Sequence, residues 1–353
     1  MRTKNPVILI GSLCLAIMLT VPLVIACAGP SGGTAPEAAM EPQQWDLTID
    51  STAIDHFSDI QLKKAFEIVK ERTNGLLDVR VIPHGELPYK GAEWLRLVSA
   101  GKLAMTLASG GYHAGDYPMW GVIDVPYTFT NMVEKRMVWD AVRPIFRREM
   151  EKENIHILSY DPRFTQCLAT SKPVDVMDLK GMKLRSYSKA IAMIIEAMGG
   201  TAVPIAWPET YTALERGVAD GLLTGADGIY LTRMFEVAPY SYDVGLIHGI
   251  WAVTVNKELW DALPKSVQNI VYEELEAFEG LSLVWADAEM KNIYDLMLAD
   301  GGKGHEKITD PAFFDMMREK VTKPLMAEEL AKTGAVGEEI VSAMEQALGK
   351  TLH

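Results

Sequence analysis

The sequence predicts a two-lobed α/β protein with a ligand cleft between its lobes and one long helix crossing them. Strand-like segments alternate with amphipathic helical segments in two successive blocks. Residues 265–299 contain no proline and only Gly280, a run long enough at 1.5 Å per residue to reach across more than one domain. The 353 residues are 48% apolar and 23% charged, ordinary globular composition with material for two lobes.

Taken in order, Trp45-Asp-Leu-Thr-Ile-Asp50 alternates and suits a strand. Ser58 and Gln61 have capping-box spacing, and Leu62, Ala65, Phe66 and Val69 follow on one helical face. Thr73-Asn74-Gly75 closes that helix, with Gly75 fit for a left-handed cap. Leu77, Val79 and Val81 alternate with polar residues as a strand, a helix covers 92–100, and 103–108 is an apolar strand. A helix over 133–153 and a strand at 155–160 complete the first block. In the second block, strands are expected at 166–170, 182–185, 202–205 and 221–224, and a helix at 190–198. A further helix opens at Pro208, which suits a first turn, and ends near Gly217. Residues 250–256 again read as a strand, and Val267, Ile270, Val271, Leu275 and Phe278 mark the inner face of the long helix.

The leader is the most specific local signal. Arg2 and Lys4 precede an apolar run over 6–26, and Val24-Ile25-Ala26-Cys27 follows the lipobox pattern of aliphatic, spacer, small residue and Cys. Residues 1–26 are therefore expected to be a signal peptide, with lipidation at Cys27 anchoring the protein to the membrane on its periplasmic or extracytoplasmic face. Residues 27–44, rich in Gly, Pro, Ser, Thr and Ala, read as the anchor and a flexible tether. Losing the leader moves the formal charge from −13 to about −15, which argues against a nucleic-acid partner. An anionic ligand would then need local cations, against the sign of the whole. Only 3 cysteines are present, two of them at or before residue 27, so no disulfide framework is expected.

Six ordered segments resemble the TRAP solute-binding proteins, the family named for C4-dicarboxylate binding. Asp178-Leu-Lys-Gly-Met-Lys-Leu-Arg185 resembles that family's DLKGLKIR signature, and the segment from Val203 through Trp207, Glu209, Tyr211 and Gly217 to Asp220-Gly221 resembles its PMAFSEVYTALQTGVVDG run. Glu71-Arg-Thr-Asn-Gly75, Gly85-Glu-Leu87, Asp124-Val-Pro-Tyr-Thr-Phe129 and Asn256-Lys-Glu-Leu-Trp-Asp-Ala-Leu-Pro264 also match, so the resemblance covers residues 46–300. It implies a periplasmic-binding-protein-like fold that closes on a ligand and hands it to separate TRAP membrane permease subunits. Lobe I would comprise 45–160 and 250–289, and lobe II 161–249 and 290–353. Whether a second copy pairs through the C-terminal helices to form a homodimer is left open.

The resemblance also implies site residues. Arg185 stands where the family's Arg pairs with the substrate carboxylate, and a planar guanidinium offers two parallel donors that Lys cannot. Arg163 matches a second family Arg, with a lobe-stabilising ion pair as the alternative. Trp207 replaces the aromatic of the PMAF segment, and Ser188 joins the set. From lobe I, the loops after the first and third strands offer His56 and Phe57, and Ser109 and Tyr112; the Gly110-Gly111 pair would let backbone approach the ligand. One departure matters: relatives often read DGQENP, whereas this chain reads Asp220-Gly-Leu-Leu-Thr224-Gly225. Thr224 keeps one hydroxyl at the Asn position, and Leu222 and Leu223 stand where polar groups were. That points to a small monocarboxylate with an apolar or aromatic body rather than a sugar acid.

Enzyme readings find little support. Ser109 lies outside a G-x-S-x-G elbow, the seven His include no H-E-x-x-H, and no Cys/His set has zinc spacing, so no metal site and no cofactor is assigned, while whether a metal assists ligand binding is left open. Gly349-Lys350-Thr351 lacks the rest of a P-loop. Asp220 and Asp227 read as a capped turn rather than a catalytic pair. A ligand-sensing receptor lobe is the main alternative to transport, and a secreted hydrolase a weaker one.

Overall fold

A computed structural model describes residues 40–352 apart from Thr52, Ala53, Asp55, Pro162, Phe164, His248 and Lys291, with backbone only for 286–290. The leader, Cys27 and most of the tether lie outside the described residues. Eleven strands are described: β1 (Gln43–Thr48), β2 (Leu77–Ile82), β3 (Met105–Ser109), β4 (Ile155–Asp161), β5 (Gln166–Thr170), β6 (Lys183–Ser186), β7 (Thr201–Pro204), β8 (Gly221–Gly225), β9 (Tyr240–Leu246), β10 (Trp251–Asn256) and β11 (Gly304–Lys307). They form two sheets, one in the order β2-β1-β3-β10-β4 and one in the order β11-β9-β5-β8-β6-β7. The fold is the two-lobed α/β arrangement of the periplasmic-binding-protein type.

The chain crosses between the sheets three times. It leaves the first after β4, returns to it with β10, and joins the second again through β11 at its edge. β10 runs antiparallel between β3 and β4, and Trp251 faces both Ser109 and Asp161 across the ladders. In the second sheet β5 is the antiparallel strand, pairing Gln166 with Gly225 of β8 and with Leu246 of β9. These registers bring strand ends from both sheets toward one place.

Helices cover the sheets where their apolar stripes demand it. Phe57–Arg72 buries Leu62, Ala65, Phe66 and Val69 in the core under the first sheet, each of the larger side chains contributing about 1.5–3 kcal/mol. Met132–Lys152 begins at Asn131, whose side chain accepts from the Glu134 backbone N–H at 2.8 Å. Its Val138, Trp139, Val142 and Phe146 enter a second core of the same lobe. Gly75 takes φ +79° after the first helix, as its sequence position predicts.

Several expectations need correction. His56, not Ser58, occupies the first helix's N-cap; the Ser58 hydroxyl lies 3.1 Å from His56 Nδ1, so the Ser58–Gln61 capping box does not form. Strand β1 already includes Gln43 and Gln44, which the sequence reading gave to the tether. The long helix over 265–299 is two helices, Lys265–Met290 and Ile293–Ala299. No glycine or proline explains the break. Its cause is a change of partner: the first piece packs on Phe57–Arg72 and β4, the second on Ala226–Leu231 and β11. Residues 323–348, placed by sequence with lobe II, form the helices Lys323–Thr333 and Ala335–Leu348. Their Leu325, Met326, Ile340, Val341 and Met344 enter the core around Met132–Lys152, because that helix has an apolar side turned away from its sheet.

Candidate ligand-binding site

The strand ends of the two sheets frame a cavity of about 80 Å³. Tyr112, Asp50, Ser51, His56 and Trp251 reach it from the first sheet and its helices; Arg185, Tyr187, Trp207, Thr224, Gln166 and Asp227 reach it from the second, with Arg163 at the crossing between them. The sheets touch here. His56 Nε2 pairs with Asp227 across the cleft, and the Tyr112 and Tyr187 rings lie 6.3 Å apart.

Arg185 is the penultimate residue of β6, whose parallel pairing with β7 sets it beside Val203. Its side chain is almost fully buried, and Nε donates to the Ile205 carbonyl at 3.0 Å. The guanidinium sits 5.0 Å from the Tyr187 ring and 5.3 Å from Trp207. Nη1 is buried with no hydrogen-bond partner, and among the described residues no carboxylate pairs with it. Burial accordingly pulls this group below its ordinary value, and only Tyr112 and Tyr187 pull the other way. A buried cation without a counter-charge is costly unless an anion arrives to complete it.

Arg163 is the opposite case. Its Nη2 lies 2.7 Å from Asp59 and 3.1 Å from Asp50, and its Nε 2.8 Å from Asp161. Its backbone carbonyl accepts from Lys135 Nζ at 3.0 Å. The ion pair that the sequence reading kept as an alternative is therefore present: this guanidinium ties β1, the first helix and β4 together at the point where the chain leaves the first sheet. Burial pushes Asp50 and Asp161 up, and repulsion from Asp59 adds to it, against the lowering pull of Arg163.

Of the sequence-predicted residues, Arg185, Arg163, Trp207, Thr224, Tyr112 and His56 line the cavity together. Ser188, Ser109 and Phe57 do not. Ser188 caps the helix Lys189–Ala197 by accepting from the Ile191 N–H, Ser109 is buried on β3, and Phe57 stacks on Trp285 at 4.0 Å. Gly110 and Gly111 are required for packing rather than ligand approach: a Cβ on Gly110 would lie 2.4 Å from that of Asp124, and one on Gly111 2.8 Å from the Tyr187 ring. Leu222 and Leu223 face the cores on either side of the second sheet, so they form no cavity wall.

The sequence reading missed Asp50, Tyr187, Asp227 and Trp251. Tyr187 had a usable signal, since it lies two residues past Arg185 and so on the same side of an extended chain. Trp251 had none, because only the β10 ladders bring it here, whereas Asp50 follows the first strand, whose loop was already expected to reach the ligand. With the rings of Tyr112, Tyr187, Trp207 and Trp251 between two guanidinium groups, the cavity can hold a compact ligand with a flat or apolar body and an anionic end. Among the described residues no group of three or more His, Cys, Asp or Glu side chains could hold a metal ion.

The model of bacterial extracellular solute-binding protein family 7 matches residues 52–329. The chain belongs to that family. These are the TRAP solute-binding proteins its motifs resemble. The family-7 chain is 28% identical over 211 residues to the C4-dicarboxylate-binding periplasmic protein DctP of Rhodobacter capsulatus, covering 57% of this chain and 62% of that relative's length. It is 26% identical over 275 residues to the 2,3-diketo-L-gulonate-binding periplasmic protein YiaO of Escherichia coli, covering 74% of this chain and 81% of the relative. Its fold resembles that of DctP7, a Bordetella pertussis extracytoplasmic solute receptor binding pyroglutamic acid, with TM-score 0.78 and 23% identity over 86% of this chain and 99% of that one.

Proposed function

We propose that this protein is the extracytoplasmic receptor of a TRAP transporter, which captures a small organic carboxylate and delivers it to membrane permease subunits. The observation that carries this reading is the buried guanidinium of Arg185, a residue that lines the cavity and whose Nη1 has no hydrogen-bond partner. A carboxylate there would accept parallel N–H bonds from a donor group otherwise unsatisfied. Family membership supports the transport role, and the leader with Cys27 supports export and a lipid anchor. Relatives and structural neighbours named for carboxylic acids, among them C4-dicarboxylates and pyroglutamic acid, support the ligand class.

The ring-lined wall supports a monocarboxylate with an apolar or aromatic body. In this reading Arg185 receives the carboxylate, Trp207 and Tyr187 flank it, and Thr224 adds a hydroxyl. The ligand bridges both lobes and shifts the population toward the closed state. Arg163 braces the lobe rather than receiving the acid.

A thermal-shift screen of the purified protein, refolded to remove bound ligand, against several hundred organic acids tests this. Melting temperature is expected to rise with particular monocarboxylates and the rise to vanish in Arg185→Ala. Rises of equal size in the Arg185→Ala protein would overturn the assignment.

A further inference from the structure

We propose that the cavity selects a small zwitterion, with its carboxylate at Arg185 and its ammonium group drawn to Asp50 beside Arg163, and that it rejects dicarboxylates. This rests on the reading that Arg185 receives the carboxylate. The inference comes from counting charge at each pole. At one end stands a guanidinium with no acid beside it. At the other, Arg163 alone meets Asp50, Asp59 and Asp161 at 3.1, 2.7 and 2.8 Å. Asp59 and Asp161 are fully enclosed behind Arg163, whereas Asp50 keeps about a fifth of its side chain exposed and lines the cavity. Its Oδ1 makes an ion pair with Arg163 but accepts no hydrogen bond.

Lys135 does not balance this excess toward the ligand, because it is buried behind Arg163 and donates to that residue's carbonyl. His56 is engaged with Asp227 and Ser58, and His84 stands near Asp50 as a half-buried ring. A second carboxylate reaching this end would therefore meet a surplus of negative charge in a poorly hydrated space, where like charges repel strongly. An ammonium group would meet a carboxylate with acceptor capacity to spare. The walls favour it too, since Tyr112 and Trp251 line the same cavity and aromatic faces attract cations.

The full chain, purified in mild detergent and stripped of ligand, would be titrated calorimetrically with matched probes. Each pair differs only in the amino nitrogen: proline against cyclopentanecarboxylate, pipecolate against cyclohexanecarboxylate, valine against 3-methylbutanoate. Succinate serves as the dicarboxylate. The best zwitterion is expected to bind at least tenfold tighter than its partner and than succinate, and Asp50→Asn to narrow that gap to under threefold. If Asp50→Asn does not fold, the wild-type pairs decide alone. Isosteres or succinate binding as tightly as the zwitterions would overturn the proposal. So would Arg185-dependent thermal shifts with other acids while no zwitterion binds, and that result would leave the carboxylate reading standing. If no acid binds at all, both fall.

Discussion

Arg163, at the crossing between the sheets, and Arg185, on the second sheet, line one cavity, yet the protein treats them in opposite ways. Three carboxylates converge on Arg163. Arg185 is equally buried, but it has two aromatic rings and one carbonyl for company. Arg163 finds its counter-charges within the chain; Arg185 has none among the described residues. A guanidinium in a cleft is thus no sign of an anion receptor by itself. What distinguishes the receptor is the counter-charge missing from its neighbourhood, and that is a property of the folded chain alone.

The largest expected effect breaks the complete end. Arg163→Met leaves Asp50, Asp59 and Asp161 facing one another with no adjacent guanidinium, which should destabilise the protein by about 3–5 kcal/mol. Denaturant unfolding measures this directly. A loss below ~1 kcal/mol would mean that the three acids protonate readily and that Arg163 is spare enough to serve a ligand.

The next effect concerns how much positive charge stands behind Arg163. Burial drives Lys135 down to about 7, with Arg163 pulling the same way and Asp161 and Asp124 pulling up. Its folded-state value lies below the unfolded value of ~10.4. Between the two, the unfolded chain holds more protons, so stability should climb with pH by on the order of 1.4 kcal/mol per unit from about 7 to 10. Below 7 both states are charged and the cost is constant. The difference between wild type and Lys135→Met isolates this slope from other groups. A flat difference would give the Arg163 end a second full cation and shrink the contrast between the poles.

Much of the fold was legible because it is written in local patterns. The strand at 77–82 alternates in burial, those at 155–161 and 166–170 are continuously buried, and the helix Lys189–Ala197 carries Ile191, Ile194 and Ile195 on one side. What was not read lacks such a pattern or depends on distant partners. Gly304–Lys307 is a polar edge strand that pairs only with β9. Tyr240–Leu246 does alternate, with Tyr242, Val244 and Leu246 buried, so its omission was avoidable. For the site, the resemblance to the TRAP solute-binding family pointed to Arg185, Trp207 and Thr224, all of which line the cavity. It could not separate Arg163 from Arg185, because Asp50 and Asp59 lie more than a hundred residues before Arg163. Only the meeting of β1, β4 and the first helix assembles the acids around it.

The smallest effect has the opposite sign from the first, and that makes it the sharper test. In Arg185→Met the ligand-free protein should become more stable by about 1 kcal/mol. Removing an unpaired buried charge returns its desolvation cost, several kcal/mol for a group with no ion partner. Against this stand the cation–π contacts with Tyr187 and Trp207, worth roughly 0.5–2 kcal/mol together, and the Ile205 carbonyl left without its donor, about 1–3 kcal/mol. Methionine keeps most of the aliphatic volume between the rings and adds a sulfur–aromatic contact. A modest net gain is therefore the expected result of calorimetric melting on ligand-stripped protein. A loss as large as that of Arg163→Met would mean that Arg185 is structural, held by contacts stronger than those it makes with Ile205 and the two rings, and the difference between the two ends of the cavity would disappear.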